Sequence, residues 1–192
     1  MTQNTKKNLK NDFISLIEQS SEEVVETLIN YHPLEKIAHS HMIQYVSTTH
    51  MKKLFDDTYE IYEFLLEKDI LDRHNKVIDV GCGIGLLKWI CRNNGYITYA
   101  SETYLQSSFS NGLVNFDPYQ IVRKYLDVDV DVRTTSIYSD DFKLDWHYDY
   151  CVLSRFAPID IDDNLSLTYD KLNPFVQKFV VTNPLRVENF AS

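Results

Sequence analysis

Apolar positions along the chain follow two regimes. Up to about residue 71 they recur at helical intervals, and beyond it they gather into short runs, which predicts helices followed by an α/β sheet. In the first regime Phe13, Leu16, Ile17, Val24, Val25, Leu28 and Ile29 form a stripe behind Asp12, a residue type that caps helices. The polar pair Ser20 and Ser21 is expected to interrupt this stripe, and Pro33 to end it. A second stripe, Leu54, Phe55, Ile61, Tyr62, Leu65 and Leu66, predicts an amphipathic helix from about Thr49 to Ile70 that packs on a sheet. Beyond it, β-branched and aromatic runs predict strands at 77–80, 96–102, 128–137, 148–154 and 178–183. A polar helical segment at 162–172 precedes the last of these, and 103–116 reads as a loop-rich connection.

Three of the chain's five glycines, Gly81, Gly83 and Gly85, follow the first strand directly. A backbone that turns tightly and lets a ligand approach needs residues without a Cβ. A helix beginning near Ile84 would point its unpaired amides at whatever lies over this turn, so polar or anionic parts of a ligand fit there. The dinucleotide fingerprint needs its third glycine where Leu86 stands, and the phosphate-cradling P-loop needs a Gly-Lys-Ser/Thr that does not follow. What remains is Asp-x-Gly-x-Gly-x-Gly at Asp79, Gly81, Gly83 and Gly85. It resembles the first motif of the class I S-adenosylmethionine-dependent methyltransferases.

That resemblance covers about residues 74–184 and implies a fold. The fold is α/β, a Rossmann-like doubly wound, mostly parallel sheet of about five strands in the order 3-2-1-4-5, with an N-terminal helical extension. Residues 1–50 would form a helical arm or cap, and 51–192 the S-adenosylmethionine-binding domain. The family's further helix and C-terminal antiparallel hairpin are expected to be missing, because few residues follow the fifth strand.

The implied cofactor is S-adenosylmethionine, held by Asp79 and by the turn of Gly81, Cys82, Gly83 and Gly85. Glu102, ending the second strand, would receive the ribose hydroxyls, since an ionised carboxylate accepts two hydrogen bonds at once. Many members carry Gly-Asp after the third strand to contact adenine. Here Ser136 and Ile137 stand there, so the contact falls to Ser136, to Asp140 or Asp141, or to backbone groups. Ser154 and Arg155 leave the fourth strand at its carboxyl end, where ligands of open α/β sheets bind, whereas His147 enters at the other end. Tyr96, Tyr99, Tyr104, Tyr119 and Tyr125 either line a pocket for the sulfonium by cation–π attraction or belong to the core. No residue stands out as a general base.

Composition fits one soluble domain plus an extension: 192 residues, 44% apolar and 24% charged. No apolar run approaches the ~20 residues of a membrane span, and the polar start, which reads as a short disordered segment, lacks the apolar core of a secretory signal. Three cysteines beside predicted core elements argue against a disulfide framework and for a reducing, cytoplasmic setting. A net charge of −9 argues against nucleic acid, as does the run 154–158, which replaces the Asn-Pro-Pro-Tyr type motif of many DNA methyltransferases. A small-molecule or protein methyl acceptor is therefore expected. His32, His39, His41 and His50 share the arm, yet no cysteine or suitably spaced acid accompanies them, so no metal is expected. The edge of the fifth strand should be covered by the tail Leu185 to Ser192 or by a second copy, and a homodimer is favoured. The alternative function is a non-catalytic methyltransferase-like binding or scaffolding module, favoured by the expected loss of the hairpin and by the departure at Ser136.

Overall fold

In the computed structural model, residues 3–31, 47–103, 119–133, 137–153, 162–182 and 185–189 are described. Their centre is β1 (Val77–Val80), all four residues of which are buried. It lies between parallel neighbours, β2 (Tyr99–Thr103) and β4 (Tyr148–Leu153), with Ile78 in register with Tyr99 and Cys151. A strand covered on both faces reads as a continuous apolar run. Asp79, 2% exposed, is the exception that a purely structural strand would not carry. β3 (Asp131–Arg133) pairs parallel with β2, and β5 (Val176–Thr182) parallel with β4. β6 (Leu185–Asn189) runs antiparallel to β5, giving a six-stranded sheet in the order β3-β2-β1-β4-β5-β6.

This is the expected doubly wound order, with one correction. The chain does carry a C-terminal antiparallel hairpin. Thr182 and Leu185 are register partners, so the connection between the strands is as short as a hairpin allows, and enough residues remain for five strand positions. The tail thus covers the β5 edge, and the ground for expecting a homodimer there is removed.

Among the described residues four helices share one face of the sheet: α1 (Gln3–Tyr31), α2 (Thr48–Glu67), α3 (Leu86–Asn93) and α4 (Tyr119–Leu126). Their buried residues form one cluster with Val77, Val152 and Val180 of the sheet. α1 contributes Leu9, Phe13, Ile17, Ser20 and Val24, steps of three and four that keep one face inward. Phe13 anchors it, its ring centroid 5.7 Å from Phe55 and 5.8 Å from Trp89.

Three local expectations are corrected in α1. Asp12 lies inside the helix rather than capping it, and the polar start is helical from Gln3. Leu9 packs on the core there, Lys6 sits 4.6 Å from the centre of the Tyr59 ring, and Lys10 pairs with Asp56 at 2.5 Å. Nor do Ser20 and Ser21 break the helix, because their hydroxyls donate back to the carbonyls of Ile17 and Glu18 at 2.9 and 2.7 Å. The side chains of Leu28 and Ile29 lie outside the described residues.

The stripe of α2 buries Met51, Phe55, Thr58, Tyr59, Ile61, Tyr62 and Leu65. It stops at Glu67 because Asp69 turns left-handed, at φ 54°. The opposite face of the sheet packs Ile78, Val80, Cys151, Leu153 and Phe179 against Ile137, Phe142 and Leu144 and against Leu172 of α5 (Asp162–Leu172). Among the described residues no helix is long and apolar enough to cross a membrane.

The predicted strands are longest where the structure trims them most. Residues 96–98 and 128–130 run into β2 and β3 without joining the sheet. Val128 and Val130 instead pack toward the turn that follows β1. Residues 134–136 lie outside the described set.

Candidate functional site

The turn after β1 sits at the carboxyl ends of the parallel strands, where doubly wound sheets take ligands. Its three glycines all have positive φ: 75° at Gly81, 56° at Gly83 and 74° at Gly85. L-residues with side chains rarely adopt that region. The Gly81 and Cys82 amides both donate to the Ser101 carbonyl, at 2.9 and 3.3 Å, which extends the β1–β2 pairing past the strand. Gly85 closes the turn by donating to the Cys82 carbonyl at 2.9 Å and then caps α3, which starts at Leu86 rather than near Ile84.

The glycines differ in what surrounds them. A Cβ on Gly85 would meet Val130 Cγ2 at 3.1 Å and Val128 Cγ2 at 3.2 Å, so its lack of a side chain admits the segment leading into β3. Among the described residues a Cβ on Gly83 would meet nothing within 4 Å. Gly85 is small because protein packs on it, and Gly83 faces open space.

Two charged side chains grip Gly83. Its N–H donates to Glu102 Oε2 of β2 at 2.5 Å. Its carbonyl accepts from Nε and Nη2 of Arg123 at 2.9 and 2.5 Å. Arg123 projects from α4, is 5% exposed and has its guanidinium 5.6 Å from the centre of the Tyr119 ring. Cys82, buried beside them, has its thiol pushed well above the usual range, first by burial and then by the charges of Asp79 and Glu102, with Arg123 opposing. Asp79, Glu102 and Arg123 therefore surround one turn. Asp79 itself is in register with Ala100 and Val152. Burial likewise raises Cys91, to about 12, and Cys151, so none of the three thiols is a nucleophile near neutral pH.

Of the residues singled out in the sequence, Asp79, Gly81, Cys82, Gly83, Gly85 and Glu102 come together at this turn. Ile137 is buried with Phe142 and Leu144 on the other face of the sheet. Asp140 is exposed and paired with Lys171 at 2.9 Å, and Asp141 accepts from the Ser139 hydroxyl. Ser136, Ser154, Arg155, Tyr104 and His32, His39 and His41 lie outside the described residues. His147 precedes β4, at the end of the sheet away from the turn, with its ring 6.4 Å from that of Phe175. Tyr96 meets Tyr62 edge-on and packs against the core, whereas Tyr99 meets Tyr148 edge-on and is exposed.

Arg123 is the residue that sequence reasoning missed. The available signal was a cation set among Tyr119, Ile121, Val122 and Leu126, all buried, on a short helix not recognised from its pattern.

No protein-family model and no curated protein matches the chain. Among solved structures it is similar to the glycopeptide N-methyltransferase MtfA, at 18% identity over 65% of this chain and 52% of that one, TM-score 0.43. It is similar to the amino pentose methyltransferase CalS10 of Micromonospora echinaspora, involved in calicheamicin biosynthesis, at 11% identity over 65% and 50% of the two chains, TM-score 0.45. It is also similar to the magnesium protoporphyrin IX methyltransferase of Synechocystis, at 17% identity over 68% and 57%, TM-score 0.44. The chain spans about half the length of these structures.

Proposed function

We propose that this chain is a class I S-adenosylmethionine-dependent methyltransferase domain acting on a small-molecule or protein acceptor. One observation carries the reading: a turn of three left-handed glycines, open over Gly83, lies within hydrogen-bond reach of the strand-end carboxylate Glu102. That set fits the proposed cofactor. Gly81 and Gly83 would face its amino acid portion, Glu102 its ribose hydroxyls, and Ser136 its adenine, with Asp79, Cys82, Gly85 and Ser154 shaping the site.

S-adenosylmethionine, when bound, supplies a methyl group already activated on a sulfonium. The protein's work is then to hold donor and acceptor in line and to exclude water. Residues 12–50 are proposed to build the acceptor side. In support, Glu23 of α1 pairs with Lys124 at 3.2 Å, on the same helix that carries Arg123 to the turn. Three buried free cysteines support a reducing, cytoplasmic setting.

Isothermal titration calorimetry with S-adenosylmethionine and S-adenosylhomocysteine tests the reading. Saturable binding of both is expected. A flat titration of folded protein, up to millimolar ligand, refutes it.

A further inference from the structure

Gly83 is held on both sides by ionisable groups from different elements. Glu102 of β2 takes its N–H and Arg123 of α4 its carbonyl, with two donors converging on one oxygen. Gly83 has no Cβ to restrict its backbone, and among the described residues nothing lies within 4 Å of where one would stand. The two charged bonds stand in for that missing restraint. Rotation about φ at Gly83 turns the peptide that carries its N–H relative to the one that carries its carbonyl, so both bonds are kept together only near φ 56°, and the two side chains are linked through one residue.

A guanidinium that is 5% exposed is expensive to keep out of water, and an apolar residue would serve the packing of α4 equally well or better. Its place on the buried face of that helix therefore points to a task beyond packing. We propose that Arg123 is a positioning residue for cofactor binding: by fixing the peptides on either side of Gly83, it holds the Glu102 carboxylate in the orientation that reads the ribose hydroxyls. This rests on the reading of the site given above. Arginine suits the task where lysine does not, because Nε and Nη2 form a planar fork that approaches one acceptor from a fixed direction.

The test compares S-adenosylhomocysteine with its 2′-deoxy analogue by calorimetry, on the parent, Arg123→Lys and Arg123→Met. The parent should prefer the ribose form by about tenfold or more, the usual worth of a hydrogen bond to a charged group. Both variants should lose most of that preference. An arginine that merely secures α4 would weaken the two ligands equally, so an unchanged ratio in folded Arg123→Lys overturns the proposal.

Should Arg123→Met not fold, Arg123→Lys carries the comparison together with amide exchange. The Gly83 amide should exchange about tenfold faster in Arg123→Lys than in the parent, relative to the amides of α3. Equal exchange again overturns the proposal. A parent that binds neither ligand refutes the cofactor reading itself. A parent that discriminates, beside an Arg123→Lys that discriminates as well, refutes only the role of Arg123.

Discussion

Alanine at Gly83 and alanine at Gly85 should have opposite rankings in stability and in ligand affinity. Both positions are left-handed, at φ 56° and 74°, where an L-residue costs about 1–2 kcal/mol. At Gly83 the new methyl group touches nothing within 4 Å among the described residues, so strain is the cost that counts. At Gly85 it meets Val130 and Val128 at 3.1 and 3.2 Å, and moving two packed valines adds roughly 1–3 kcal/mol. For a chain of this size each kcal/mol lowers Tm by about 2–4 °C. Gly83→Ala should therefore melt about 2–8 °C below the parent and Gly85→Ala about 4–20 °C below it. Affinity for S-adenosylhomocysteine should rank the other way. The Gly83 methyl occupies the open space assigned to the ligand and should weaken binding by about tenfold or more, equivalent to about 1.4 kcal/mol. Calorimetric melting and isothermal titration, both at a temperature where each variant is fully folded, read the two rankings. If Gly83→Ala binds like the parent, the ligand does not lie over Gly83 and the assignment of the site falls.

Two further outcomes follow from the packing and the buried acids. Phe13→Ala removes a fully buried ring wedged against Phe55 and Trp89 and should cost about 3–5 kcal/mol in urea unfolding; a loss below 1 kcal/mol would mean that α1 is not part of this core. Stability should also fall steeply in alkali. Cys91 is raised from 9.0 to about 12 and Tyr148 from 10.0 to about 12, both chiefly by burial. Above about pH 9 the unfolded chain thus sheds protons that the native state keeps, and stability drops as pH climbs toward 12. Urea midpoints that stay constant from pH 8 to 11 would contradict that burial.

Much of the fold was legible because its signals are local. The glycines at 81, 83 and 85 announce left-handed backbone one residue at a time, and the stripes of α1 and α2 announce which faces are buried. Strand limits were less legible. Val128 and Val130 have strand-like residue types, but they are used to pack toward Gly85, and nothing in the residue type separates the two uses. β6 was missed by counting residues without allowing for a tight connection, which leaves the short stretch after Thr182 long enough to pair with β5.

The harder failure concerns charge. Glu102 could be placed at the site because the family resemblance implies an acid at the end of the second strand, and that strand pairs beside the glycine turn. Arg123 reaches the same turn from 40 positions away in sequence, through a helix whose eight residues are too few to show a convincing period. Its burial is nonetheless the kind of conflict between local pattern and global fold that marks functional positions, since an apolar helix face gains nothing in stability from a cation. Asp79 presents the same conflict in the central strand, where an acid is 2% exposed among Val77, Ile78 and Val80. Cys82 feels Asp79 and Arg123 with opposite sign. Both charges act on the one thiol of the glycine turn, so the buried acid and the buried base are two instances of the same conflict at one place in the fold.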